Sequence, residues 1–209
     1  MKKLKLKICG MKETKNIMDV AALSPDYMGF IFYEKSPRFV GKGFMMPGDF
    51  PSSLKKVGVF VNEHVEKIKI LAGQFKFDFV QLHGNESLEQ CIELKAAGHK
   101  IIKAFSIDEN FDFNVAKAYA PSVDFFLFDT KGKYYGGNAR PFNWEVLHRY
   151  NQEVPFFLSG GLSPDNIGSI NQLRNMNIHA LDLNSGIEIS PGLKNIDKVN
   201  EVYDILNNI

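Results

Sequence analysis

The chain has 209 residues, is 44% hydrophobic and carries a formal net charge of +1, which is apolar material for one well-filled core and rather little for two. So even a balance of charge excludes an electrostatic grip on nucleic acid or on an anionic membrane, and no apolar run approaches the roughly 20 residues of a transmembrane helix. The N-terminus lacks the apolar stretch of a signal peptide, Cys9 and Cys91 are the two cysteines and have no CxxC spacing, and a reducing cytoplasm is the expected home.

Short apolar strands alternate with helical patterns along the whole chain. The predicted strands are Leu4–Cys9, Tyr27–Phe32, Lys56–Val61, Phe79–His83, Lys100–Phe105, Val123–Asp129, Pro155–Ser159 and Ile178–Asn184. One unit about every 26 residues suits a strand, a helix and lean loops. Asn62 stands before Val65, Ile68, Leu71 and Phe75, as an N-cap before an apolar stripe would, and Asn85 stands in the same way before Leu88, Cys91, Ile92 and Ala96. Ser163-Pro164 offers a cap and then a proline at the first helical position. Ile196, Val199, Val202 and Leu206 mark the last helix, Ile107–Ala118 predicts a weak and short fifth helix, and Ser36–Pro51, interrupted by Pro37, Gly41, Gly43 and Pro47, reads as a long loop. Eight successive strand–helix units predict a single-domain (β/α)8 TIM barrel over residues 1–209. An open doubly wound sheet is the rival, but Cys9-Gly10-Met11 follows the first strand where such a sheet carries a glycine-rich turn.

A barrel of this kind works at the C-terminal ends of its strands. Those ends hold Cys9, the Ser36-Pro37-Arg38 loop, His83, Asp129, Ser159-Gly160-Gly161 and Asn184-Ser185-Gly186. Glycines after strands seven and eight let backbone N–H groups approach an anion, so Gly160, Gly161, Asn184, Ser185 and Gly186 predict a phosphate site. The plainer alternative is tight turns alone. Arg38 suits bidentate capture of a carboxylate or phosphate, with a surface arginine as the alternative. His83 reads as a hydrogen-bonded rim histidine or as a ligand contact. Asp129 ends the buried run Phe125-Phe126-Leu127-Phe128, where a carboxylate is costly unless it is paired or functional, and a general acid is one such function.

Alternation puts Leu4, Leu6 and Ile8 on one face of the first strand and Lys5, Lys7 and Cys9 on the other. The apolar face packs on helices, which leaves Lys7 and Cys9 inside. Cysteine is commonly a small buried hydrophobe, but a neighbouring ammonium favours the thiolate, which is a base or nucleophile. Cys91 lies on an apolar helix stripe and reads as structural. Asp182 shares a face with Asn184, and closure of the barrel sets strand eight against strand one. A Lys7–Asp182 ion pair beneath Cys9 follows, holding Lys7 charged and opposing part of its effect on the thiol.

These rim motifs together resemble the phosphoribosylanthranilate isomerase family of tryptophan biosynthesis. The matching segments are Lys7-Ile8-Cys9-Gly10-Met11, Gly29-Phe30-Ile31-Phe32-Tyr33 with Lys35-Ser36-Pro37-Arg38, Lys56-Val57-Gly58-Val59-Phe60-Val61-Asn62 and Val80-Gln81-Leu82-His83-Gly84. Further along stand Asp129-Thr130, Tyr135-Gly136-Gly137, Phe156-Phe157-Leu158-Ser159-Gly160-Gly161-Leu162 and Asp182-Leu183-Asn184-Ser185-Gly186-Ile187-Glu188 with Ser190-Pro191-Gly192. The resemblance implies an Amadori rearrangement of an N-ribosylated anthranilate without metal or organic cofactor. It assigns Cys9 as general base and Asp129 as general acid, puts Arg38 on the substrate carboxylate, and gives the phosphate to the two glycine loops. As partners it leaves a small-molecule phosphoribosyl substrate, with no nucleic acid and no membrane. The chain acts as a monomer or homodimer, with room for transient contact with neighbouring pathway enzymes. A related isomerase of another phosphoribosyl amine, built on two aspartates, fits less well because strand one ends in cysteine; a non-catalytic phosphoribosyl-binding barrel would need neither Cys9 nor Asp129. One departure stands out. After Gly136-Gly137 the family usually continues Thr-Gly and then a lysine or similar residue, ahead of Phe-Asp-Trp, whereas Asn138-Ala139-Arg140-Pro141-Phe142-Asn143-Trp144 stands here. Without glycine at 139 a positive φ is no longer cheap, which bears on loop closure and turnover.

Overall fold

The apolar runs form strands where their alternation meets a partner on either side. In the computed structural model, which describes residues 4–130, 144–173 and 175–208, β1 (Lys5–Ile8), β2 (Tyr27–Ile31), β3 (Lys55–Phe60), β4 (Phe79–Leu82), β5 (Ile101–Ile107), β6 (Phe125–Thr130), β7 (Phe156–Leu158) and β8 (Ile178–Leu183) close into a parallel barrel in sequence order. The eight predicted strands are all present, and the fold is a TIM barrel. β8 returns to β1 with Lys7 opposite Asp182 in register. The Asn138-Ala139 departure and the Tyr135-Gly136-Gly137 match lie outside the described residues.

Two cores follow from the period of two. Outward-facing Leu6, Ile8, Phe30, Phe60, Phe126 and Leu181 pack against the surrounding helices and loops. Inward-facing Tyr27, Val57, Ile102, Leu127, Phe157 and Ala180 fill the barrel itself, with Cys9 at their upper edge. The interior below the mouth is thus packed with apolar side chains around a polar contact, the Tyr27 hydroxyl 2.6 Å from His179 Nε2.

The outer ring is less regular than eight helices. Among the described residues the α-helices of five residues or more are α1 (Thr14–Ala22), α2 (Val65–Phe75), α3 (Leu88–Ala96), α4 (Phe113–Lys117) and, last in the chain, Ile196–Asn207. The fifth unit carries only the five-residue α4, as its weak pattern predicts. In the second unit the long loop stands in place of a helix: Phe44 and Phe50 pack on Phe30 with ring centroids 5.5 and 6.2 Å away, covering the outer face of β2. Glycines and prolines in that segment disfavour a helix, and aromatic anchors do the covering instead. The described part of the sixth unit is a 3-10 turn over Trp144–Arg149. The seventh is α5 (Pro164–Ile167), one turn begun at Ser163, whose N–H donates to Asn166 Oδ1 at 3.0 Å, and continued as 3-10 helix. After β8 a small antiparallel hairpin, β9 (Glu188–Ser190) and β10 (Leu193–Lys194), precedes α6 (Ile196–Asn207).

Two predicted caps are corrected. Asn62 does not cap α2, which starts after His64 without a side-chain cap. Asn62 takes a positive φ of 51°, and its Oδ1 accepts the Asn85 N–H at 2.6 Å, so the two asparagines join neighbouring rim loops. Ser87, not Asn85, caps α3, in a capping box with Gln90. The Ser-x-x-Gln pattern was there to be read. On α3 Cys91 and Leu94, three residues apart, are buried, while Ile92 is half exposed.

Candidate active site

Lys7 and Asp182 are the last inward residues of β1 and β8, and the register sets them side by side. The Lys7 ammonium donates to Asp182 Oδ1 at 2.8 Å with both side chains buried, as the sequence predicts. Burial alone would lower the Lys7 ammonium; the carboxylate of Asp182, helped by Cys9, outweighs it and holds Lys7 above the usual lysine range. Cys9 follows on the same face, buried. Its thiol is pushed up by burial, pulled down by Lys7, pushed up by Asp182 and pulled down by Lys194, and the net direction is up. Lys7 lowers the thiol and Asp182 opposes it, as the sequence analysis expects, and desolvation outweighs the lysine. In a Cys91→Ser background, the rate of Cys9 alkylation by iodoacetamide should rise with an apparent pKa above the ordinary thiol value. Lys7→Met should move that value higher still; an unchanged value would separate the thiol from the lysine.

Asp129 is the last inward residue of β6, next to its end at Thr130. Its Oδ1 accepts the N–H of Thr130 at 2.8 Å, and its Oδ2 lies 3.3 Å from His83 Nε2. His83 is held in turn by Gln81, whose Nε2 is 2.8 Å from His83 Nδ1. With Gln81 donating, the imidazole carries its proton on Nε2 and donates to Asp129. His83 is thus hydrogen-bonded at the rim, and its partner is the predicted acid. Gln81 was missed by the sequence reading; period-two alternation with His83 is the signal that places it inward.

The two glycine loops meet as predicted. Ser159, Gly160, Gly161, Asn184, Ser185 and Gly186 line one pocket together with Asp129 and Asp182. Gly160 has a φ of +97°, and a Cβ there would collide with Thr130 Oγ1, while a Cβ on Gly186 would collide with the Leu162 carbonyl. At both positions the backbones approach too closely for any side chain.

Arg38 is not a free surface arginine. Its Nε and Nη2 grip Glu188 in a bidentate pair, with Nη2–Oε2 at 2.7 Å and Nε–Oε1 at 2.9 Å. Lys194 donates to the same carboxylate at 2.7 Å and to Asn184 Oδ1 at 2.7 Å. Burial alone would raise the Glu188 carboxyl, but Arg38 and Lys194 hold it below the usual carboxylate range. Neither Glu188 nor Lys194 was singled out as a site residue from the sequence, since only the fold of the β9–β10 hairpin turns them inward. Among the described residues no group of His, Cys, Asp and Glu could hold a metal ion.

The model of one protein family, N-(5'phosphoribosyl)anthranilate (PRA) isomerase, matches residues 6–204. The N-(5'-phosphoribosyl)anthranilate isomerase of Parabacteroides distasonis is 47% identical over 97% of this chain and 93% of its own length. This chain belongs to the PRA isomerase family. The isomerase of the same name from Staphylococcus aureus strain N315 is 34% identical over 97% of both chains. Among solved structures, the PRA isomerase of Thermotoga maritima superposes with a TM-score of 0.85 at 32% identity, covering 99% of this chain and 100% of that one. A PRA isomerase solved with reduced 1-(o-carboxyphenylamino)-1-deoxyribulose 5-phosphate superposes with a TM-score of 0.81 at 30% identity over 99% of this chain and 100% of the other. No described helix is long and apolar enough to cross a membrane.

Proposed function

We propose that this chain is the isomerase that converts N-(5'-phosphoribosyl)anthranilate to 1-(2-carboxyphenylamino)-1-deoxyribulose 5-phosphate in tryptophan biosynthesis, as one cytoplasmic barrel domain with Cys9 as general base and Asp129 as general acid. The observation that carries the assignment of roles is that Asp129 shares one pocket with both glycine loops, while Cys9 stands over the buried Lys7–Asp182 pair.

The chemistry follows from these positions. Asp129 donates a proton to the furanose ring oxygen as the bond from that oxygen to C1′ breaks. The lone pair of the anthranilate nitrogen forms the C1′=N bond of an iminium. The cation acidifies the C2′ proton and, beside the buried thiol, favours its ionised form. The Cys9 thiolate removes that proton, the electron pair returns to nitrogen, and an enolamine results. The enolamine tautomerises through solvent, water delivering a proton to C1′ and taking the 2′-hydroxyl proton to give the ketone, while the Cys9 thiol gives up its proton and Asp129 regains one, so that base and acid are restored. The substrate's own nitrogen is the electron sink, so the chemistry requires no organic cofactor. The glycine loops hold the phosphate through backbone N–H groups, and Arg38 takes the anthranilate carboxylate with the N–H donors that Glu188 leaves unused.

The test is the fluorescence of phosphoribosylanthranilate generated in situ from anthranilate. Wild type is expected to consume it. A protein that binds the reduced product analogue yet leaves the substrate intact would be a binding barrel, and the acid–base assignment would fall.

A further inference from the structure

One charged cluster at the barrel mouth has no part in the proton transfers. Lys194 lies on β10 with its side chain fully buried. Its ammonium donates to Glu188 Oε1 at 2.7 Å, to Asn184 Oδ1 at 2.7 Å and to the Asn184 carbonyl at 3.3 Å, which accounts for every N–H an ammonium has. Its backbone is held as well. The Lys194 N–H donates to Asn16 Oδ1 at 2.8 Å, and Asn16 Nδ2 donates back to the Lys194 carbonyl at 2.9 Å. Lys194 is therefore fixed at both ends, against α1 and against the site. Through one residue each way it reaches Arg38, by Glu188, and the loop after β8, by Asn184.

Stability is a poor reason for such an arrangement. A buried ion pair seldom outperforms apolar residues of the same volume, because desolvation consumes the Coulombic gain. The charge count points elsewhere. Two cations, Arg38 and Lys194, share one carboxylate, Glu188, so the cluster carries one positive charge in excess at the place where an anionic ligand is to be received.

We propose that Lys194 is a positioning residue for substrate binding: by sharing Glu188 it leaves Arg38 with charge to spare for the substrate carboxylate, and by holding Asn184 it shapes the phosphate loop after β8. The inference rests on the roles given to Arg38 and to that loop in the preceding section. Without Lys194, Glu188 would neutralise Arg38 alone, and the asparagine would lose its donor. Burial pulls the Lys194 ammonium down to about 8, opposed by Glu188 and Cys9 and reinforced by Arg38. Those three are the charged or titratable groups that face it, from β9, from the end of β1 and from the loop after β2. A lowered lysine is charged below that value and neutral above it, so binding should weaken as the pH rises through about 8.

The experiment measures binding of the reduced product analogue by calorimetry, together with KM and kcat, for wild type and Lys194→Met from pH 6.5 to 9. In wild type the dissociation constant is expected to rise across pH 8, where the ligand's own phosphate and carboxylate no longer titrate. Lys194→Met is expected to bind about tenfold more weakly at pH 7, with KM raised in proportion, kcat changed by less than about threefold, and no step near pH 8. Glu188→Gln added to Lys194→Met should recover part of the affinity, because Arg38 is then no longer neutralised; a merely structural lysine would show no such rescue. A wild-type dissociation constant that is flat from pH 7 to 9 overturns the proposal without any variant, as does a folded Lys194→Met that binds like wild type. Failure of wild type to bind or turn over at all would instead overturn the reading of the site on which the proposal rests.

Discussion

Asp129→Asn is expected to turn over phosphoribosylanthranilate about 1,000-fold more slowly than wild type, within the 10²–10⁴ range of general acid–base effects. Asparagine is nearly isosteric. Its amide oxygen can still accept the Thr130 N–H that Asp129 accepts at 2.8 Å, so the β6 terminus stays in place. What it lacks is a proton to give to the ring oxygen. Binding of the reduced analogue should therefore change little, and the loss should fall on kcat. Cys9→Ser should lose a similar factor, since an alcohol at that position is not ionised near neutral pH. The two losses should not multiply in the double variant if proton transfer at the ring and at C2′ are separate steps, because the slower step then governs the rate. A stopped-flow fluorescence assay with melting curves as the folding control decides it. Asp129→Asn with activity within tenfold of wild type would take the acid role away from Asp129.

Lys7→Met is expected to cost about 3–5 kcal/mol of folding stability, because it leaves Asp182 buried and without its cation. The carboxylate is 4% exposed and its partner ammonium 0%, so water cannot replace the lost contact. A loss of that size is at least about a fifth of the 5–15 kcal/mol of an ordinary domain. The double variant Lys7→Met with Asp182→Leu should recover most of it, since removal of both charges also removes the cost of desolvating them. The sign with pH is fixed by the raised Lys7. Its contribution is complete below about pH 10.4 and is lost only as the pH rises through the higher folded value. Urea titrations at pH 7 report the difference; a Lys7→Met variant destabilised by less than about 1 kcal/mol would mean that the pair serves only the thiol.

The legibility of the site divides along a physical line. Strand alternation is a local property of covalent geometry, so Lys7, Cys9, Asp129 and Asp182 could be turned inward from the sequence with no contact known. Once eight strand patterns were counted, closure of the barrel put strand eight beside strand one, and the Lys7–Asp182 pair followed, 175 residues apart in the chain. The glycine loops were equally readable, because an anion at close range requires backbone without side chains. The resting state of Cys9 was not readable. Its direction depends on how far burial outweighs two lysines, which is a sum over the finished environment. The caps of α2 and α3 went astray by two residues because asparagines that look like caps were engaged with each other across neighbouring loops.

The sequence by itself determined the barrel, the inward faces and the residues able to move protons, because period-two alternation and glycine at a strand end act within a few residues. Only the tertiary structure decided that Arg38 arrives already held by Glu188, and that Lys194 stands behind both it and Asn184. Those partners come from β2's long loop, the end of β8 and a hairpin that folds back over the mouth. A charge finds its partner by distance in space, and that distance is set only when the whole ring has closed.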